Sequence, residues 1–186
     1  AARLTGARAA GTDLVAFCDA DVRPAPGWLD RIVGHFDDPL VAAVAPRVAS
    51  PAGHPGCGGP AGRPPGRAAA RPAGRLAGRL AAGLAGWSAG LRARYEESRS
   101  PLDLGQRPGP VRPGGRVSYV PSAALVIRRE HASFDAAMRY GEDVDLVWRL
   151  GAAGLTVRYE PAAVVLHRPR RSWAAWARQR FGYGSS

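Results

Sequence analysis

Between Pro51 and Arg79, 14 of 29 residues are glycine or proline. A stretch so rich in chain breakers holds neither a helix nor a strand, because proline removes backbone donors and glycine adds backbone entropy. Arg63, Arg67, Arg71, Arg75 and Arg79 recur every four residues, but Pro64, Pro65 and Pro72 forbid the helix that would line them up. The segment therefore reads as a solvated, low-complexity insertion at about 51–79. Whatever core the chain builds must come from the sequence on either side of it.

The same stretch explains much of the charge. The formal net charge is +11, yet residues 1–50 carry five arginines against six acids and residues 96–165 carry nine of each. Residues 51–95 hold seven arginines and no acid, and 166–186 hold five more with no acid. The excess thus lies in two tracts. All 26 basic residues are arginine, since the chain contains no lysine, and it also lacks asparagine. That excludes a phosphate-loop lysine, a Schiff-base lysine and a kinase-type lysine. With 24 glycines and 17 prolines, the pattern reads as compositional bias. An arginine-rich polyanion- or nucleic-acid-binding protein is one reading of the tracts, with affinity falling steeply with salt. The neutral flanks and the lack of aromatics within 51–79 argue against it. No apolar run reaches the ~18 residues of a membrane span. Two cysteines exclude a disulfide scaffold, and His54 with Cys57 makes only half a zinc site.

The flanks alternate strands and helices, which predicts an α/β fold. Residues 1–3 read as helix. Leu14–Cys18 is a short apolar run of the kind buried in a parallel sheet, with Cys18 as a core residue. Trp28, Leu29, Ile32, Val33 and Phe36 fall on one helix face. Val41–Val44 reads as a strand, the spacing from Leu80 to Tyr95 as helical, and Ala123–Ile127 as the apolar part of another strand. Glu142, Asp143 and Asp145 open a helix in which Asp145 and Arg149 pair, and Gly151 and Gly154 help end it. Leu155–Tyr159 and Ala163–Leu166 read as two short strands, and Trp173–Phe181 as a last helix.

Three polar sets follow or precede these elements where α/β sheets bind ligands. Asp19 and Asp21, one residue apart after an apolar strand, can turn oxygens towards one hard cation such as Mg²⁺ or Mn²⁺; alternatively Asp21 caps a following helix. Asp143 can serve as a general base with Glu142 beside it, or the two can simply decorate a helix N-terminus. His167 can complete a metal site or be structural.

Taken in order, these segments resemble family 2 glycosyltransferases of the GT-A fold. LVAFCDADVRPAPGWLDRIV is similar to their Asp-x-Asp segment and VSYVPSAALVIRR to their donor-sugar strand. YGEDVDLVWRLGAAGLTVRYEP is similar to their Glu-Asp acceptor helix with its following strand, and VVLHRPRR to the element supplying a metal-binding histidine. The likeness spans residues 1–50 and 94–186. ARYEESRSPLDLG, GRVSYVPSAAL and RFGYGSS narrow it to a branch with a peptide-derived redox cofactor as acceptor.

The resemblance implies a single partial, Rossmann-like GT-A domain over 1–186, with a mixed sheet flanked by helices. It implies a metal-dependent, inverting transfer of a hexose from a nucleotide sugar, UDP-glucose above all, to an acceptor hydroxyl. The acceptor is then the peptide-derived cofactor or, alternatively, a cell-envelope lipid or polysaccharide. Asp21, Asp19 and His167 would hold the metal, with Asp19 also reaching the ribose. Asp143 would deprotonate the acceptor and Glu142 position it. Ser122 and Ala123 would line the donor sugar, and Arg178 and Arg180 steady the leaving diphosphate through forked donors. Such an enzyme is expected in the cytoplasm. Trp173 and Trp176 among Arg170, Arg171, Arg178 and Arg180 either touch the inner membrane face or pack within the enzyme. The family's first nucleotide-binding strand and base-reading acid are expected before Ala1, which makes this the catalytic half of a larger domain; an inactive remnant is the other reading. Where the family carries Arg-Asn-x-Gly, this chain has Arg3-Leu4-Thr5-Gly6 and lacks the side-chain amide.

Overall fold

In the computed structural model, residues 2–50, 100, 102–135, 137–138 and 141–167 are described. The insertion, the helix expected between Leu80 and Tyr95 and the helix expected at Trp173–Phe181 lie outside them. The fold class is the one expected, α/β with a mixed sheet. Helix α1 (Ala2–Ala9) leads into β1 (Leu14–Cys18) and β2 (Val22–Pro24). A 3₁₀ turn (Val33–Asp37) precedes β3 (Val41–Ala49), followed by β4 (Gly109–Val111) and β5 (Ala124–Arg128). A second 3₁₀ turn (Arg129–His131), helix α2 (Glu142–Ala152) and β6 (Thr156–His167) complete the described elements.

The strands run in the order β1-β5-β3-β6-β2, with β4 also on β6. Twelve residues make β6 long enough for two neighbours on one edge: β4 pairs with Val157–Tyr159 and β2 with Val165–His167. Among the described strands only β3 and β6 pair in parallel; the others pair antiparallel. Ile127, Ala43, Val157 and Tyr159 form one apolar face with Leu146, Val147 and Leu150 of α2. Val44, Val126 and Val41 form the other with Ile32 and Phe36.

Three local expectations need correction. First, β1 does not lie in the middle of a parallel sheet. It is antiparallel to β5 at the end of the strand order, only Phe17 is buried, and Cys18 is exposed. A five-residue apolar run signals a strand but not its direction or its neighbours, which explains the error. Second, the stretch from Trp28 to Phe36 forms turns and a 3₁₀ segment instead of a helix. Ile32 and Phe36 are buried as expected, whereas Leu29 and Val33 are exposed. Gly27 at φ +70° and Gly34 interrupt the pattern with the residue that gains least from a helix. Third, the two strands after α2 are one. Glu160-Pro161 lies between the two expected segments, yet β6 runs through it by an irregularity opposite Pro46 and Arg47 of β3. There a proline without an N–H is tolerated. Glu160 secures it, accepting the Ala162 N–H at 2.9 Å and meeting His35 Nε2 at 3.1 Å.

Arginines in the described part of the chain do structural work. Arg128 donates to the carbonyls of Val41, Phe36 and Asp38, and Arg149 ties Asp145 to Ser133. Arg116 reaches the carbonyls of Arg107 and Pro108.

Arg47 grips Asp103 through two bonds of 2.9 and 2.8 Å. Burial alone would raise the Asp103 carboxyl, but the Arg47 bond, the Gly105 N–H and the Arg47 charge outweigh it and hold the group below its ordinary 3.8. A carboxyl depressed by folding stabilises above its unfolded value, and that contribution disappears as pH falls through the folded one. Asp103→Asn is therefore expected to lower stability near neutral pH, with the deficit closing in acid below about pH 3.8. Acid titrations of the unfolding midpoint for both proteins check this; a deficit independent of pH counts against the pair.

Candidate active site

Two antiparallel registers and one helix start build the site. Cys18 pairs with Ala124, so the carboxyl end of β1 lies beside the amino end of β5, and the Asp19 N–H donates to the Ala123 carbonyl at 2.9 Å. The chain then turns, with the Val22 N–H donating to the Asp19 carbonyl at 3.0 Å. Val22 pairs with His167, which sets Asp21 against the last residue of β6. Gly141, at φ +79°, supplies the left-handed entry to α2, a conformation that a side chain would strain. Asp143 in the first turn of α2 then accepts the Ser122 N–H at 3.2 Å. That bond ties the helix start to the loop preceding β5.

The first cluster centres on Arg3 of α1. Its guanidinium donates to Asp19 Oδ1 at 2.7 Å and to Glu142 Oε1 at 2.9 Å, joining two expected site residues that are 123 positions apart. Its ring neighbour is Phe134, whose centroid lies 5.6 Å from Arg3 Cζ and which meets Phe17 edge-on at 5.3 Å. Burial lowers the tendency of Arg3 to hold its proton, but the bond to Asp19 and the charges of Asp19 and Glu142 prevail and push it up. It is a permanent cation between two carboxylates.

The second cluster is Asp21 with His167, whose Oδ2 and Nε2 are 3.6 Å apart. Asp21 is followed by β2, not by a helix, so it caps none. The two aspartates part company: Asp19 turns to Arg3 and Asp21 to His167. Among the described residues, no three histidine, cysteine, aspartate or glutamate side chains gather closely enough to hold a metal ion.

Ser122 and Ala123 are both buried, in the loop between Asp143 and Asp19. The structure thus brings Asp19, Asp21, Ser122, Ala123, Glu142, Asp143 and His167 to one end of the sheet. Arg178 and Arg180 lie outside the described residues, as do the arginines of the two basic tracts and the Trp173–Trp176 pair. No helix of the described residues is long and apolar enough to cross a membrane.

Arg3 is the residue that sequence reasoning missed. It lies in the Arg3-Leu4-Thr5-Gly6 segment, at the start of α1. A basic residue one helix before an Asp-x-Asp strand was the available signal.

Comparison with known proteins finds similarity to glycosyltransferases. Residues 1–71 match the family model for glycosyl transferase family 2. The whole chain is 44% identical, over 190 aligned positions, to the Pre-mycofactocin glycosyltransferase of Mycobacterium tuberculosis strain CDC 1551 / Oshkosh. It matches the protein of the same name from strain ATCC 25618 / H37Rv equally well. The chain covers 33% of each relative, so it spans about a third of the length of the curated relatives it matches. The resemblance to family 2 glycosyltransferases is borne out by these matches.

Proposed function

We propose that this chain, kin to glycosyl transferase family 2, forms the catalytic part of a transferase that moves a hexose from a nucleotide sugar to an acceptor hydroxyl with inversion. The observation that carries the reading is the meeting, at one end of the sheet, of the Asp19–Arg3–Glu142 bridge, the Asp143–Ser122 bond and the Asp21–His167 pair. UDP-glucose is the proposed donor. The proposed acceptor is a precursor of the peptide-derived cofactor mycofactocin, after the names of the two relatives.

Asp143 is the proposed base. Its carboxylate is anchored by the N–H groups of Ser122 and Val144, which fix its direction without spending a side chain on it. It takes the acceptor proton as that oxygen attacks the anomeric carbon from the face opposite the diphosphate. Glu142, held by Arg3, orients the acceptor. Ser122 and Ala123 line the sugar, and Arg178 and Arg180 meet charge growing on the leaving diphosphate.

Asp21 and His167, a carboxylate and an imidazole 3.6 Å apart, would hold Mg²⁺ or Mn²⁺. Such an ion supplies neutralisation of the diphosphate charge. Asp19 belongs to the same donor end, where its contact with Arg3 ties the nucleotide side to the acceptor helix.

The test is transfer by the intact protein: incubation with UDP-glucose and the peptide-derived acceptor, read as a hexose added to the acceptor by mass spectrometry. Asp21→Ala is expected to weaken donor binding at least about tenfold and to flatten its dependence on Mn²⁺, since even outer partners of metal ligands are worth that much. Calorimetric titration of UDP across a Mn²⁺ series measures it; unchanged affinity removes Asp21 from the metal. Transfer to a lipid or polysaccharide acceptor, with none to the peptide-derived one, would redirect the acceptor assignment.

A further inference from the structure

Leu102, Asp103, Leu104 and Gly105 belong to no regular element, yet they are held from both faces of the sheet. Leu102 packs on Val48, Ala124 and Val165, in a cluster that includes Val22 and Trp28. Leu104 packs on the opposite cluster. Residues so close in sequence reach both faces only by crossing the rim of the sheet, at strand ends or around an edge strand. Val48 near the end of β3 and Ala124 at the start of β5 locate that crossing. It is the end where Asp21 precedes Val22 and Ser122-Ala123 precede Ala124.

The fastening is specific. Arg47 binds both Asp103 oxygens, and the two side chains are only 23% and 18% exposed. Asp103 Oδ1 also accepts the Gly105 N–H at 3.0 Å. The hydroxyl of Tyr159, a buried residue of β6, donates to the Gly105 carbonyl at 2.7 Å. Gly105 itself sits at φ +89°. A half-buried ion pair gains little net stability over an apolar pair, but its two-pronged geometry fixes a position. None of these residues carries a role in the chemistry described above.

We propose that Arg47 and Asp103 are positioning residues that hold Leu102–Gly105 as a wall of the donor-sugar end of the site, and that the wall helps select the donor. The proposal rests on the transferase reading. Misplacing a wall by a fraction of an ångström acts on binding of the group it faces, leaving the base and the acceptor helix in place.

Asp103→Asn, Asp103→Glu and Tyr159→Phe in the intact protein test it by steady-state kinetics and by hydrogen exchange. Asp103→Asn is expected to raise the donor KM about tenfold while kcat and acceptor KM stay within about twofold, the signature of lost uniform binding. Asp103→Glu, which keeps the carboxylate, retains a donor KM near that of the parent, and Tyr159→Phe shifts it in the same direction by less. In Asp103→Asn, amide exchange is expected to quicken at Leu104 and Gly105 and also at Ser122 and Ala124. A lower unfolding midpoint with unchanged donor KM overturns the proposal, as does faster exchange confined to 102–105. Should the parent protein transfer no sugar, the transferase reading fails, and the spread of exchange to Ser122 and Ala124 alone decides whether the wall is coupled to the site.

Discussion

Asp143→Asn in the intact protein is expected to lower kcat by roughly a thousandfold, within the range of a lost general base, while donor affinity stays unchanged. The substitution keeps shape and a carbonyl oxygen, so the Ser122 N–H that Asp143 Oδ2 accepts at 3.2 Å keeps a partner. What is removed is the ability to take a proton. Asp19 and Asp21, the proposed donor side, contact Arg3 and His167 and not Asp143. Single-turnover rates with UDP-glucose, beside calorimetric UDP binding, separate the two effects. A variant with parental turnover would refute the base assignment. Loss of UDP affinity with the turnover would instead place Asp143 on the donor.

The second large effect is on stability and reaches the site indirectly. Leu146→Ala is expected to destabilise the fold by about 2–5 kcal/mol, the cost of truncating a well-packed leucine with incomplete collapse of the cavity. Leu146 is fully buried, and with Val147 and Leu150 it presses α2 onto the face formed by Ala43, Ile127 and Val157. Against a total stability of about 5–15 kcal/mol, that is a large share. The same helix delivers Glu142 and Asp143, one turn away from Leu146. The variant is therefore also expected to lose activity below its unfolding temperature, because the carboxylates shift with the helix. Thermal unfolding followed by circular dichroism gives the first effect. Turnover measured well below the transition gives the second. A variant that unfolds early yet turns over normally when folded would show that α2 is pinned elsewhere.

Some of this was legible in the chain. Helix α2 was readable because Glu142, Asp143 and Asp145 precede an apolar stripe at helical spacing, and Asp145–Arg149 pairs as expected at 2.8 Å. The strand at Ala124–Arg128 was readable from an uninterrupted apolar run. Strand β4, with only Gly-Pro-Val, had no such signal, since three residues carry no period. β2 was hidden in the same way: Val-Arg-Pro is as short, and only its pairing with β6 makes it a strand.

The sequence by itself determined helix α2 and the apolar runs at the centres of β1, β3 and β5, and therefore that acidic groups stand just beyond a strand and at a helix start. Periodicity and breakers are local, so these features follow from neighbours a few residues away. The tertiary structure decided the partners. It turned β1 antiparallel to β5, set Asp19 beside Ala123, gave Asp21 to His167 and placed Arg3 between Asp19 and Glu142. Apolar patterning reports that a strand will be buried, but not which edge it meets or in which direction. Hydrogen-bond partners across the sheet fix that, and they come from residues far along the chain, as where Leu14 meets Arg128 and Val22 meets His167.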